Sequence, residues 1–452
     1  MVKRLIWRLS GLISACSDAK TAAGGQNFRA ARLTRETRRW HLSTFIEDLW
    51  KQRTVLKFEG FPAEFRDHDL SGSSSRISHL TFEEGCQNLY LSRGVWMTSE
   101  EVYTAPKLIG RSGKRALAGN VARKAKFSEI PTVSLAATEG EIIEQLSDAC
   151  TRVGFFYIKD HGVCDAVTSS IFDTAEKFFS QALDVKNEIN YKKSTILRGY
   201  EPIAEVRTDE TKMADLNEAF NCGYEPELDP QRDSSKHASV IDGMMRGPNA
   251  WPMQVGFKES VARYYGEILM LARRLVKLLA RVLQLPASHF DELVKTPGAM
   301  LRLLKYPAQP AGNPDALGIG AHTDIECFTI LLQGKQPALQ ILNVDGEWIQ
   351  APPVPGTFVV NIGDMLARWS NDTFISTVHR VLNTTGQERY SVPFFFGPSY
   401  DTMLHPLESC VPAGETPKYE AVLAGDYVYQ RLARSRLTEQ ETARLPLSAV
   451  LV

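Results

Sequence analysis

Residues 317–333 have the sequence LGIGAHTDIECFTILLQ, in which a potential metal-ligand pair lies within apolar, strand-forming residues. His322 and Asp324 are two positions apart, so on an extended segment both side chains point to the same face. His379, in a second predicted strand (376–383), is a third candidate ligand. Two imidazoles and one carboxylate suit non-haem Fe(II) and leave coordination positions open for substrates. The stretch therefore predicts an open iron site.

A candidate carboxylate receptor follows the third ligand. Arg389 and Ser391 are again two positions apart in a predicted strand, so both side chains share one face. A guanidinium fork beside a hydroxyl is a good receptor for a carboxylate. An acidic co-substrate is expected to chelate the iron at one end and to place its far carboxylate on Arg389.

The composition limits the classes of partner. The chain has 452 residues, enough for one large domain with additional segments, and its 43% hydrophobic and 23% charged content is ordinary for a soluble protein. A net charge of −1 gives no reason to expect nucleic acid or an anionic membrane surface. No apolar run approaches the ~18 to 20 residues that span a bilayer. We expect small-molecule partners and a monomer, because no apolar heptad-like surface stands out.

The cysteines and the N-terminus indicate the compartment. The seven cysteines are scattered without a C-x-x-C pair, which predicts reduced thiols rather than disulfides or a zinc site. The first 45 residues are rich in arginine, with only Asp18 and Glu36 as acids. This composition is typical of an organelle transit peptide, and also of a basic arm with no targeting role. We expect a cytoplasmic protein, with mitochondrial import as the alternative.

The chain is predicted to have three parts. Residues 1–125 form a basic N-terminal extension and linker with little organisation, interrupted by the low-complexity run at 71–76. Residues 126–295 form a helix-rich part, and residues 296–452 a strand-rich core with a C-terminal tail. A capping box is expected at Thr138 and Glu141. Before residue 296, apolar periodicity predicts strands at 131–135 and 154–159 and helices at 142–153, 164–183 and 256–284.

From residue 300 onward the apolar pattern is that of short strands. Asp345-Gly346 marks a hairpin turn between two of them. Many short antiparallel strands at regular spacing favour a double-sheet jelly roll, with the candidate ligands near strand ends. The predicted strands are 300–306, 317–323, 326–333, 338–343, 347–351, 357–362, 376–383 and 389–397.

These motifs resemble those of the Fe(II)/2-oxoglutarate-dependent dioxygenases, in particular the isopenicillin N synthase-like (iron/ascorbate-dependent oxidoreductase) family. The resemblance covers about residues 128–435. It implies an α+β, mostly β fold with a double-stranded β-helix (distorted jelly roll) core flanked by helices. The motifs that carry it, in order, are Gly154-Phe-Phe-Tyr-Ile-Lys-Asp-His161-Gly162, Arg302-Leu-Leu-Lys-Tyr306-Pro307, His322-Thr-Asp324, Val360-Asn-Ile-Gly-Asp364, Thr377-Val-His379-Arg380-Val and Arg389-Tyr-Ser391-Val-Pro-Phe-Phe.

The resemblance also implies roles for individual residues. The implied iron ligands are His322, Asp324 and His379, and the implied 2-oxoglutarate contacts are Arg389, Ser391 and Tyr306. The implied reaction uses O₂ and hydroxylates, desaturates or cyclises a small organic, specialised metabolite. Its co-products are succinate and CO₂, and ascorbate is an optional reductant. Leu304 departs from the pattern, because many relatives have asparagine two residues before the tyrosine.

Three alternatives remain at this point. The ligands would also suit Zn²⁺ in a hydrolase, although a hydrolase has no need for the Arg389 and Ser391 pair. A non-catalytic metal-binding member of the family, or an enzyme with a different reductant, would keep the same triad. Of the neighbouring residues, Asp364 is predicted to have a turn or scaffold role and His161 a turn or core role. Cys327 and Phe328 either line the pocket or fill the sheet.

Overall fold

The computed structural model describes residues 122–124, 129–208, 213–232, 245–310 and 317–436, together with two short strands nearer the N-terminus. These two, β1 (Lys57–Phe58) and β2 (Leu89–Tyr90), pair antiparallel with each other. Most of the predicted N-terminal extension, including the arginine-rich segment, Cys16 and Cys86, lies outside the described residues. The five cysteines within them are free thiols, as predicted.

The later strands lie close to the predicted positions wherever a strand was predicted. They are β3 (Arg123–Lys124), β4 (Thr132–Ser134), β5 (Phe155–Lys159), β6 (Gly199–Glu201), β7 (Glu218–Gly223), β8 (Gly298–Tyr306), β9 (Ile319–His322), β10 (Phe328–Gln333), β11 (Leu339–Leu342), β12 (Trp348–Gln350), β13 (Phe358–Ile362), β14 (His379–Val381), β15 (Arg389–Gly397), β16 (Met403–Leu404) and β17 (Val422–Leu423). Of these, β3, β6, β7, β16 and β17 have no counterpart in the sequence-based prediction.

Two sheets form the core of the fold. The larger has the strand order β4-β5-β13-β10-β15-β8-β7-β6, and the smaller has the order β3-β12-β11-β14-β9. Most neighbouring strands run antiparallel; the exceptions, β4 with β5 and β3 with β12, lie at the edges. This is the double-sheet arrangement expected of a jelly roll.

The space between the two sheets is filled by apolar side chains from both. Leu331 and Val359 of the larger sheet pack in one cluster with Leu339 and Ile341 of the smaller. A second cluster joins Ala219, Leu304 and Tyr306 to Ile319, Ala338 and Val381. Since burying a Leu, Val or Ile side chain stabilises by roughly 1.5–3 kcal/mol, these contacts hold the sheets face to face.

Helices cover the outer face of the larger sheet. They are α1 (Glu139–Asp148), α2 (Asp165–Phe179), α3 (Leu183–Asn187), α4 (Phe257–Val282), α5 (Asp364–Trp369) and α6 (Ala424–Arg436). Apolar residues of α1, α2 and α4 share the largest core cluster with the outward-facing residues of the sheet. Within the described residues, none of these helices has the length and apolar character needed to cross a bilayer.

Most of the predicted local features are present. Thr138 and Glu141 form the expected capping box at the start of α1. The predicted 164–183 helix is wrong at its end, because α2 stops at Phe179 and the short α3 begins at Leu183. Between the two helices, Gln181 Nε2 donates to Gln254 Oε1 at 2.7 Å. This hydrogen bond connects the chain between α2 and α3 to the segment before α4.

The hairpin between β11 and β12 has a longer loop than a two-residue turn. Asn343 N–H donates to Glu347 O at 2.9 Å and Gly346 N–H donates to Asn343 O at 3.1 Å. Gly346 adopts φ of +78°, a left-handed conformation that glycine accepts without strain. Asn343 Oδ1 also accepts from the backbone N–H groups of Asp345 and Glu347, so the asparagine side chain sets the loop length.

One residue of the predicted linker is part of the folded core. Arg123 lies on β3, at the edge of the smaller sheet beside Ile349. Its guanidinium binds the carboxylates of Glu129 at 2.5 Å and Glu347 at 2.8 Å. The larger sheet contains strands that precede residue 295 in the chain and strands that follow it. The predicted division of the chain into three parts, with boundaries at 125 and 295, stays a prediction.

Gly154 allows the segment before β14 to approach the end of the α1 region. It has φ of +73°, and a Cβ there would meet Ile375 O at 2.1 Å and Thr377 Oγ1 at 2.7 Å. We predict that Gly154→Ala destabilises the fold by roughly 2–5 kcal/mol, through the left-handed backbone and the clash. Urea unfolding at equilibrium would measure this change.

Gly140→Ala is the matched control for Gly154→Ala. Gly140 lies in the first turn of α1, and a Cβ there meets nothing within 4 Å. This substitution is expected to leave stability unchanged or to raise it by up to about 1 kcal/mol. Equal unfolding midpoints for the two variants would contradict the role assigned to Gly154.

Candidate active site

The three predicted metal ligands meet at the smaller sheet. His322 is the last residue of β9, and His379, the first residue of β14, is its direct antiparallel partner. Asp324 is in the turn after β9, not on a strand as the spacing argument assumed. The three residues form a group whose potential ligand atoms all lie within 4.8 Å of one another.

The two imidazoles present the same nitrogen to the aspartate. Nε2 of His322 and Nε2 of His379 each lie 3.6 Å from Asp324 Oδ1. On the other side of each ring, Nδ1 of His322 is 2.8 Å from Gly320 O, and Nδ1 of His379 is 3.1 Å from Thr377 O. A hydrogen on Nδ1 would donate to these carbonyls and leave the Nε2 lone pairs free to bind a metal.

The electrostatics keep the cluster in the protonation state that a cation needs. Burial, and then the neighbouring His379, lower the pKa of His322. Burial alone would raise the pKa of Asp324, but the two histidines and the hydrogen bonds from Asn361 and Thr329 lower it below the ordinary value. These shifts favour a neutral His322 and an ionised Asp324, the forms in which each group coordinates metal.

Two side chains that the sequence analysis did not single out orient Asp324. Asn361 Nδ2 donates to Asp324 Oδ2 at 2.6 Å, and Thr329 Oγ1 donates to the same oxygen. Thr329 and Asn361 are direct partners on β10 and β13, so both point between the sheets. Asn361 is within the Val360–Asp364 motif, but its spacing to Asp324 gives no local signal of this contact.

Asp364 has the scaffold role that the sequence predicts. Its carboxylate accepts from Thr323 at 2.8 Å, from Ser376 at 2.6 Å and from Arg431 of α6 at 2.7 Å. Its backbone N–H also donates to the carbonyl of Asp324 at 2.8 Å. Because Thr323 lies between two candidate ligands, Asp364 connects the metal-ligand loop to the C-terminal helix.

The predicted carboxylate receptor is assembled on the inner face of the larger sheet. Arg389 on β15 is the direct partner of Tyr306 on β8, and Ser391 is the partner of Leu304. The Arg389 guanidinium lies 4.7 Å from the centre of the Tyr306 ring and donates to Ser391 Oγ at 3.2 Å. The three predicted co-substrate contacts therefore lie together.

Arg389 is a buried cation. It is 1% exposed, its Nε has no hydrogen-bond partner, and burial lowers its pKa. Within the described part of the chain, no carboxylate lies within salt-bridge distance of it. Since an unpaired buried charge is costly, this arrangement fits an acidic ligand that completes the site.

The other residues named from the sequence have structural positions. Cys327, Phe328 and Phe396 are buried in the helix-side core, so they fill the sheet. Phe395 is a direct partner of Thr329, which places it on the inner face. His161 lies in a turn between Asp160 and Gly162, both with positive φ, and its ring packs edge-on against Phe358.

Two segments of the chain match known protein families. Residues 297–398 match the family model described as 2OG-Fe(II) oxygenase superfamily. Residues 130–254 match the model described as non-haem dioxygenase in morphine synthesis N-terminal. The 2-oxoglutarate-Fe(II) type oxidoreductase hxnY of Emericella nidulans is 36% identical over 300 residues, which cover 65% of this chain and 84% of that protein.

The chain belongs to the 2OG-Fe(II) oxygenase superfamily. A homoarginine-6-hydroxylase of Oryza sativa subsp. japonica is 34% identical over 299 residues, 65% of this oxygenase and 88% of that protein. Among solved structures, a full-length Neurospora crassa protein in complex with alpha-KG (2-oxoglutarate) has a TM-score of 0.59 and 30% identity, covering 68% of this oxygenase and 96% of that chain.

Membership confirms the predicted class of fold and reaction. The protein is a 2-oxoglutarate-dependent dioxygenase with a jelly-roll core, and it uses Fe(II) and 2-oxoglutarate. Since the relatives are named oxidoreductases and hydroxylases, the comparisons favour the oxygenase over the hydrolase alternative. The oxygenase motifs span both the helix-rich and the strand-rich parts, as the two matched segments show.

We predict that Thr329→Val lowers the affinity of this oxygenase for Fe(II) by about tenfold, because Asp324 loses one of the two donors that orient it. Anaerobic equilibrium dialysis with Fe(II) would measure the change. Thr174→Val is the control, since Thr174 is also a buried threonine with two hydrogen bonds but lies between α2 and α4. Equal affinities in the two variants would exclude an orienting role for Thr329.

Proposed function

We propose that His322, Asp324 and His379 hold the Fe(II) of this oxygenase, and that Arg389, Ser391 and Tyr306 bind 2-oxoglutarate. The observation that carries the proposal is that the two sheets, which face each other, each carry one of two chemically different sites. One is the cluster of two imidazoles and one carboxylate at the smaller sheet. The other is the buried, unpaired guanidinium of Arg389 on the larger sheet.

The donor set of the first site fits iron. Two imidazole nitrogens and one carboxylate oxygen converge from one side, which leaves coordination positions for 2-oxoglutarate and O₂. Asn361 and Thr329 hold one oxygen of Asp324 and leave Oδ1, the oxygen that faces both Nε2 atoms, free to coordinate. The chain thus presents three prearranged ligands.

The second site fits the distal carboxylate of 2-oxoglutarate. Arg389 offers a guanidinium with an unpartnered Nε, and Ser391 adds a hydroxyl on the same strand face. Tyr306 supports the guanidinium through its ring and through a side-chain hydrogen bond. Leu304, where many relatives have asparagine, adds apolar surface and packs in the cluster with Tyr306 and Val381.

The roles of metal and protein in catalysis are separate. When bound, Fe(II) supplies the activation of O₂ that couples decarboxylation of 2-oxoglutarate to succinate with oxidation of a C–H bond. The residues of the chain fix the position of both reactants. The apolar clusters between the sheets, with Val359 and Leu339 in one and Val381 in another, exclude water from the reacting centre.

We further propose a small organic substrate of specialised metabolism, which the enzyme hydroxylates, desaturates or cyclises. The relatives support a small polar molecule, because one is named a homoarginine-6-hydroxylase and the Neurospora crassa structure was also solved with thymine. Ascorbate as an accessory reductant, a monomeric state without nucleic-acid or membrane partners, and a cytoplasmic or mitochondrial location are parts of the same proposal.

We predict that Arg389→Ala weakens 2-oxoglutarate binding by about 2–5 kcal/mol, because the co-substrate's distal carboxylate loses its cationic partner. Anaerobic titration of the Fe(II)-loaded protein with 2-oxoglutarate would measure this through the weak visible charge-transfer band of the chelate. In the absence of 2-oxoglutarate, removal of an unpaired buried cation and the cavity left by its side chain act on stability in opposite directions, so the binding measurement decides.

Arg273→Ala is the matched control for Arg389→Ala. Arg273 is also a largely buried arginine, but it lies on α4 and is paired with Asp229 at 2.7 Å. Its substitution should lower stability without changing 2-oxoglutarate binding. Native protein that binds iron but gives no band with 2-oxoglutarate would contradict the proposed site.

A further inference from the structure

A buried carboxylate outside the metal-ligand cluster contacts the strand that carries His322. The segment directly before β7 lies against the start of β9, where Asp215 Oδ1 accepts from the backbone N–H of Gly320 at 3.0 Å. Asn217, two residues further along, donates from Nδ2 to Gly318 O at 2.8 Å. The side chains of one short segment thus hold two positions of the chain just before the first candidate iron ligand.

Gly320 connects this contact to the imidazole of His322. The Gly320 carbonyl lies 2.8 Å from His322 Nδ1, so a hydrogen on Nδ1 would donate to it, which orients the ring and leaves Nε2 for the metal. Glycine has no side chain to restrict its backbone, so the direction of this carbonyl depends on what the residue binds. Because Asp215 binds the N–H of the same residue, it restrains the carbonyl through one short stretch of backbone.

The imidazole of His379 is held in a different way. Its Nδ1 lies 3.1 Å from Thr377 O, and the Thr377 hydroxyl donates to Val153 O at 2.6 Å. Within the described part of the chain, no carboxylate accepts from the Thr377 N–H. The two candidate histidine ligands therefore differ in their support, and Asp215 acts on only one of them.

The second oxygen of Asp215 fixes the orientation of the carboxylate. Oδ2 accepts from the Thr208 N–H at 3.1 Å and from the Thr208 hydroxyl. Asp215 is 2% exposed, and burial raises the pKa of its carboxyl, whereas the hydrogen bonds from Thr208 and Gly320 lower it. Since a buried carboxylate that loses a donor has no bulk water to replace it, these contacts keep Oδ1 on the Gly320 N–H.

We propose that Asp215 is a positioning residue for the iron site, which acts through Gly320 to fix the imidazole of His322. This inference rests on the proposed function, in which His322 is an iron ligand. Asp215 supplies no ligand atom itself; it restrains the carbonyl that orients the ring. It is the counterpart of Asp364, which binds Thr323 on the other side of His322. Carboxylates outside the cluster thus hold the chain on both sides of this ligand.

The alternative is that Asp215 only stabilises the fold. Loss of a buried carboxylate with three donors lowers stability in either case, so a stability measurement does not discriminate. A positioning role predicts an effect confined to His322, with a weaker hydrogen bond from its Nδ1 and a lower affinity for metal, while His379 is unchanged. Asn217 provides the comparison, because it is 6% exposed and binds the same stretch of chain without touching Gly320.

The first measurement is proton NMR of full-length protein with isotope-labelled histidine, loaded with Zn(II) as a diamagnetic probe of the iron site. A proton on a ring nitrogen resonates further downfield when its hydrogen bond is shorter. The Nδ1–H signals of His322 and His379, assigned from the variants His322→Gln and His379→Gln, therefore report the two contacts separately. We expect Asp215→Ala to move the His322 signal upfield and to leave the His379 signal in place.

The second measurement is the affinity for Fe(II), by anaerobic equilibrium dialysis. Asp215→Ala should lower it by about tenfold, the usual effect of losing an outer contact that orients a metal-binding histidine. Asp215→Asn keeps an oxygen for the Gly320 N–H and should recover part of both the affinity and the signal position. Asn217→Ala should leave both unchanged, although it also removes a buried hydrogen bond.

The outcomes separate this inference from the proposed function. Native protein in which Zn(II) changes the signals of neither His322 nor His379 contradicts the proposed iron site itself. With metal bound, an unmoved His322 signal in Asp215→Ala overturns the positioning role, even if the affinity falls, and so does an equal effect of Asn217→Ala. If Asp215→Ala does not fold, Thr208→Val decides, because it removes one donor to the same carboxylate. An unmoved His322 signal in that variant overturns the role.

Discussion

The pairing of β9 with β14 is the constraint on which the site depends, because it places His322 directly opposite His379. Side chains on a strand alternate between faces, so a slip of one residue would turn one imidazole away from the other. Asp324 completes the cluster from the adjoining turn, where Asn361 of the larger sheet holds one of its oxygens. The ligand geometry therefore depends on contacts between the two sheets as well as within one.

Burial gives the inner face of the larger sheet its chemical character. Arg389 lies on that face with an unpartnered Nε and is 1% exposed. A low-dielectric surrounding strengthens charge interactions and penalises an unpaired charge, so this cation favours an acidic ligand. The apolar cluster around Leu304 and Tyr306 strengthens this effect by excluding water. The fold thus buries a positive charge at a position where an acidic ligand can pair with it.

Much of the fold was predictable from local pattern, because apolar periodicity and capping residues report directly on helices and strands. The core strands β8 and β15 and the long helix α4 lie within one or two residues of their predicted bounds. The break after Phe179 was missed, since no glycine or proline marks it and the tie between Gln181 and Gln254 is long-range. The hydrogen bond from Asn361 to Asp324 is also long-range, and no local sequence pattern predicts it.

The sequence by itself determined which residue types carry the chemistry, because His322, Asp324, His379 and Arg389 stand in short motifs of metal-ligating and carboxylate-binding side chains. Only the tertiary structure decided how these groups act together. The partnership of Arg389 with Tyr306 arises from strand pairing between distant segments. Register and burial across a sheet are set by the packing of the whole core, and no local stretch of chain specifies them.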